Sequence, residues 1–195
     1  MLHIRICVTL MITAGFAAAQ APPTPPVAVP PNLPFMGPCS NLTCEMENDW
    51  SRNNAMFNGL AGVMPPEKFT FKPTEAQQTF GERVMHVAQV NLMILQGLGA
   101  KAPAPKIDMN ATSKTDSMAA LQKVGDYGVA VIRELGAQGL TARIDSPQVT
   151  AWFMGPNMSR QRALYFLMMH TQDTYGQLVV YLRLNGIVPP LSRQP

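Results

Sequence analysis

Three histidines occur in the 195 residues: His3, His86 and His170. Imidazole is the commonest side-chain ligand for zinc, nickel, copper and iron, and the side chain that titrates nearest neutral pH. His3 falls in a stretch that reads as a removable leader, which leaves two. His86 and His170 each sit in a segment of helical periodicity, on or beside its apolar face, so neighbouring helices would let the two rings converge in a bundle interior. A catalytic metal site needs about three protein ligands and an open position. Two imidazoles are one short. The residue types alone favour a plainer role, in which each histidine is half buried and donates to a backbone carbonyl.

The elements that must position these rings are legible as helices. From Ser159 to Arg193 the stripe Ala163, Leu167, His170, Thr174, Leu178, Tyr181 recurs every three or four residues. Ser159 predicts the N-cap, Gly186 the C-terminal glycine, and Pro189-Pro190 the stop. Phe80, Val84, Val87, Asn91, Ile94 and Leu98 mark a second inner face, with His86 one position off it. Thr74 and Gln77 predict its capping box, and Gly97, Gly99, Pro103 and Pro105 end it. A third helix is predicted over Thr115–Leu135, with Met118, Leu121, Gly128, Val131 and Leu135 inward. A first is predicted from an Asn48-Asp49 cap through Trp50, Met56, Phe57 and Leu60, ending before Met64-Pro65-Pro66. Asp145-Ser146-Pro147 opens a short segment carrying Val149, Trp152 and Phe153, and Gly155-Pro156 turns into the last helix. With no alternating strand pattern and no internal repeat, the fold class is all-α, a four-helix bundle. The loop between the second and third helices is about 15 residues by this reading, long enough for a crossover.

Residues 1–19 read as a secretory signal: Arg5, an apolar run from Ile6 to Phe16, then Ala17-Ala18-Ala19. That run is too short to span a bilayer and no longer one follows, so no membrane span is expected. Residues 20–38 form a proline-rich linker that cannot pack a core, and 39–195 form the domain. Export removes Cys7 and leaves Cys39 and Cys44 as an even pair in an oxidising compartment, periplasmic or extracellular; the pair predicts a disulfide, with free thiols or a metal pair as alternatives. The net charge of +3 shows no basic cluster, which argues against nucleic acid as a partner.

The stretch HTQDTYGQLVVYLRLNGIVPPLSR, preceded by FMGPNMSRQRALYFLMM, resembles the C-terminal signature of the DinB-like family of four-helix-bundle metalloenzymes. TFGERVMHVAQVN is similar to that family's second-helix histidine motif, and EKFTFKPT before it matches as well. The resemblance covers roughly residues 45–193. It implies up-down-down-up connectivity and a divalent metal held by one histidine of the second helix and two of the last, in an H-x3-H-x-G-Q pattern. Carried over, His86 is the first ligand, His170 the second, and Thr174 occupies the third position. The resemblance also implies a homodimer.

Threonine is not histidine, and a neutral hydroxyl binds zinc or nickel poorly. Losing one imidazole of three is expected to cost several kcal/mol, by the roughly 10 kcal/mol and more that structural zinc sites contribute. Asp173, the carboxylate at hand, lies about 100° round the helix from Thr174. Met85, Met93, Met168 and Met169 flank the histidines, and thioether with imidazole suits copper(I), although core filling is the commoner use of methionine. Tyr175 and Tyr181 are expected to pack between helices, Gly176 to allow close helix approach, and Arg183 and Asn185 to cap the helix end, with an anionic substrate an alternative for Arg183. Two functions therefore stand: a metal-dependent hydrolase or thiol-transferase with a degenerate site (His86, His170, Thr174; zinc or nickel, or no metal retained), or a non-catalytic bundle that binds a small molecule or a protein.

Overall fold

The computed structural model describes residues 38–152 and 157–193, with the backbone alone at Trp152. The leader, the linker up to residue 37, Phe153 and the Gly155-Pro156 turn lie outside the described residues. Five helices follow in order: α1 (Leu42–Gly62), α2 (Phe80–Gln96), α3 (Lys114–Thr141), the short α4 (Pro147–Trp152) and α5 (Arg160–Leu184), with single 3-10 turns at Pro66–Lys68 and Pro190–Ser192. No strand occurs among the described residues, only an isolated bridge between Arg143 and Ser159. The all-α bundle is the observed class.

The last helix begins and ends where its sequence dictates. Ser159 accepts from the Arg162 N–H at 3.2 Å. At the other end Gly186 takes φ +72°, and Ile187 N–H bonds to Leu182 O while Gly186 N–H bonds to Arg183 O. This is the paired closure that a left-handed glycine permits after a helix. In α3 the expected end at Leu135 marks a real break, because Gly136 adopts φ +58° before helix resumes to Thr141.

Two helix starts differ from expectation. The first helix begins at Leu42, not after Asn48-Asp49, because Asn41 supplies the cap by accepting from Cys44 N–H at 3.0 Å. The Cys39–Cys44 disulfide closes the same short loop, with Cα atoms 5.5 Å apart. α2 begins at Phe80 with Thr79 and Glu82 as the reciprocal box, at 3.2 and 2.6 Å, and not at Thr74 with Gln77, which form a turn. The reason is local. Phe71 and Phe69 carbonyls accept from the N–H groups of Phe80 and Gly81, so the incoming chain folds back over the first turn and satisfies its free donors.

Contacts between helix ends fix the connectivity. Lys114, opening α3, bonds to Gly62 O at the end of α1, and Arg133 pairs with Glu47 near the start of α1, so these helices are antiparallel. Gly81 lies against Thr112 at one end of α2 and α3, and Glu134 accepts from Lys101 and Ala102 at the other, so α2 and α3 are parallel. Tyr181 donates to Gln78 O, and Arg160 Nε donates to Leu98 O, so α5 runs antiparallel to α2. The result is up-down-down-up, with residues 97–113 crossing over between α2 and α3. Around the bundle the order is α1, α3, α2, α5, which makes α2 and α5 direct neighbours.

The core is continuous, from Trp50, Phe57 and Leu60 through Phe80, Val84 and Ile94 to Leu167, Leu178 and Tyr181. α1 and α3 approach closely at Gly128, where an added Cβ would stand 2.3 Å from the indole of Trp50, itself fixed by Nε1–H to Gly125 O at 2.9 Å. Gly176, expected to serve such an approach, faces open space instead. Gly128→Ala should therefore cost about 1–3 kcal/mol through overpacking. Gly176→Ala should gain about 0.5–1 kcal/mol by helix propensity. Urea midpoints of the two variants, taken at unchanged slope, check both signs.

Candidate metal centre

His86 projects from the middle of α2 and His170 from the middle of α5. Their Nε2 atoms stand 3.1 Å apart, with ring centroids at 5.0 Å and planes at 65°. Both rings are half buried. Phe166, one turn before His170, stacks on its ring at 6.3 Å and 15°. Thr174, one turn after it, is buried with 1% of its surface exposed. Asp173 is exposed and accepts from Gln177 on its own helix at 2.8 Å. Among the methionines beside the pair, Met85 and Met168 are core residues, whereas Met93 and Met169 are exposed.

The pair can be tested against a shared ion. Nitrogens 3.1 Å apart, each about 2.05 Å from one metal, would subtend about 98° there, close to the tetrahedral angle. The spacing fits two adjacent ligands. The donor count does not: among the described residues no group of three His, Cys, Asp or Glu side chains converges. The surroundings also fall short. His170 Nδ1 is buried without a hydrogen-bond partner, whereas a ligating histidine almost always donates its second N–H to an acceptor.

Without an ion, the same geometry is a hydrogen bond between two neutral imidazoles. His170 then carries its proton on Nε2 and donates to His86, because a proton on Nδ1 would be a buried donor with nothing to accept it. Burial holds both imidazoles below the ordinary histidine range. The Arg83 charge adds to this at His86. At His170 the neighbouring His86 adds more, Asp173 opposes, and Arg83 contributes last.

Arg83 is the functional candidate that the sequence reading passed over. It precedes His86 by three residues on α2, so the two share a face. Its Nε is buried without a partner, and no ion pair reaches it among the described residues. Its signal was available in the i, i+3 spacing to a candidate ligand. The remaining residues of the last-helix motif have packing roles. Tyr181 donates to Gln78 O at 2.9 Å and lies edge-on to Phe71, Asn185 is the C-cap, and exposed Arg183 reaches Ser192 at 3.4 Å.

The profile of the DinB superfamily matches residues 49–178, and the chain belongs to that superfamily. Among solved structures it is similar to a DinB-like protein of Bacillus cereus ATCC 10987, with a TM-score of 0.62 at 20% identity over 74% of this chain and 93% of that one. It is likewise similar to a DinB-like protein of Bacillus subtilis, with a TM-score of 0.59 at 20% identity over 77% and 98%. At that identity the likeness concerns the fold alone. Among curated proteins nothing matches the chain.

The depressed histidines give a pH dependence of defined sign. Their folded values lie below the ordinary value near 6.5, so in that window the unfolded chain binds more protons than the folded one, and stability rises with pH. Stability from this source should be flat above about pH 7 and decline as pH falls through about 6.5, the unfolded histidine value. Urea unfolding from pH 8 to pH 5 checks this. Replacing both histidines with glutamine should flatten the decline.

Proposed function

We propose that this DinB-superfamily bundle holds a divalent ion of the zinc or nickel class weakly at His86 and His170, with Thr174 at the vacant third-ligand position, and serves metal-dependent hydrolysis or thiol transfer. The observation that carries this reading is the 3.1 Å separation of the two Nε2 atoms, presented by neighbouring antiparallel helices. A bound ion would supply Lewis acidity, lowering the pKa of a bound water towards about 7. The chain's own part is to keep both imidazoles neutral by burial, so that their lone pairs are free at neutral pH, and to place the Thr174 hydroxyl one turn from His170 as a hydrogen-bonding group. We place the protein outside the cytoplasm, a reading supported by the leader-like residues 1–19 and by the Cys39–Cys44 disulfide. No helix among the described residues is long and apolar enough to cross a membrane.

A second reading, a metal-free bundle that binds a small molecule, is favoured by the unpartnered His170 Nδ1 and by the missing third ligand. Calorimetric titration of the metal-stripped mature protein with zinc and nickel separates the two. The metal reading expects saturable binding that His170→Ala weakens at least tenfold and Thr174→His strengthens at least tenfold, about 1.4 kcal/mol. Absence of binding by either ion, together with no gain from Thr174→His, overturns it and leaves the metal-free reading.

A further inference from the structure

We infer that Arg83 anchors a carboxylate of the ligand at this site, a monoanion seated beside the histidine pair and held without any metal. The register of α2 on α5 locates it. Phe80 lies against Tyr181 at one end, and His86 meets His170 at the other. Arg83, midway between Phe80 and His86, therefore comes level with the stretch of α5 that begins at Thr174, where a third imidazole is missing.

One nitrogen of the guanidinium is unsatisfied. Its Nε is buried with no hydrogen-bond partner, and no carboxylate pairs with it among the described residues. A buried charged donor left without an acceptor is rare and asks for one. Asp173 does not fill the need, because it is exposed and engaged with Gln177.

Charge and shape choose the ligand. The one arginine brings a single positive charge, which a monoanion matches better than a phosphate dianion. The planar fork of the guanidinium matches a carboxylate edge. Phe166, stacked on the His170 ring and partly exposed, gives the pair an apolar neighbour. The ligand class is thus a monocarboxylate with an apolar body. This inference shares its place with the metal reading but not its premise, since no ion is required.

The test uses the mature protein treated with EDTA, at low ionic strength, with hexanoate as the probe, read by calorimetry and by the imidazole nitrogen resonances. Hexanoate should bind saturably, weaken as salt is added, and shift the His170 resonances. Hexan-1-ol should bind at least tenfold more weakly, and so should inorganic phosphate. Arg83→Gln should weaken hexanoate at least tenfold and Arg83→Lys by less, with helicity by circular dichroism as the folding control. If Arg83→Gln fails to fold, the hexanoate-to-hexanol ratio and the salt dependence of the unaltered protein decide. Any of four results overturns the inference: no saturable hexanoate binding, hexanol binding equally well, phosphate binding more tightly, or affinity unchanged in a folded Arg83→Gln. Binding that appears only when zinc is restored overturns it as well, and would leave the metal reading standing.

Discussion

The antiparallel contact between α2 and α5 is the constraint on which the rest of the site depends, and it is pinned at both ends. At one end Tyr181 donates to Gln78 O and packs against Phe80. At the other Arg160 donates to Leu98 O and to Gly139 O, binding the start of α5 to the ends of α2 and α3. Between the pins the two helices cannot slide by a residue without moving a buried aromatic or unpairing a guanidinium. Their midpoints carry His86 and His170, so the Nε2 separation of 3.1 Å follows from contacts some three turns away. The crossover of residues 97–113 is part of the same constraint. By carrying the chain between two parallel helices, it leaves the place beside α2 open for α5 and puts α1 on the diagonal.

The pinned pair has a definite electrostatic character. Half burial disfavours imidazolium on both rings, and each ring's neighbour, whether the other histidine or Arg83, acts in the same direction. The one opposing carboxylate, Asp173, is turned to solvent and held by Gln177. A site built for a tightly held cation would have carboxylates or thiolates among its ligands or behind them. Here the nearest formal charge on α2 is a guanidinium. The cluster keeps the two nitrogen donors that an ion would need, yet the charge around them suits an anion.

Much of this was legible in the chain, for reasons that can be named. The inner stripe of α5, its Ser159 cap and its Gly186 stop depend on residues within one or two turns of one another, so local chemistry fixes them. The stripe of α2 was legible in the same way, and all six of its predicted inward residues are buried. The caps of α1 and α2 were not, because more than one Asn, Asp or Thr near each start could serve and the choice among them is made elsewhere. Asn41 is selected by the disulfide loop that encloses it. Thr79 is selected by the Phe69–Phe71 segment folding over the first turn. Glycine misled for a related reason: whether a missing side chain serves close packing depends on what stands opposite. Trp50 stands opposite Gly128, and nothing stands opposite Gly176.

Arg83 shows what residue types alone conceal. In sequence it is one of several arginines on a helix, and the common role for such a residue is a solvated face. Its meaning comes from the partner helix, since α5 presents a buried threonine at that level and, among the described residues, no carboxylate paired with the guanidinium. Thr174 fills that position in packing terms, being 1% exposed, but a neutral hydroxyl neither offers an imidazole lone pair nor neutralises a neighbouring cation. A threonine at this position therefore has two consequences. It would weaken the hold on a metal, and it leaves the buried Nε of Arg83 without an acceptor. An incoming carboxylate would supply that acceptor directly.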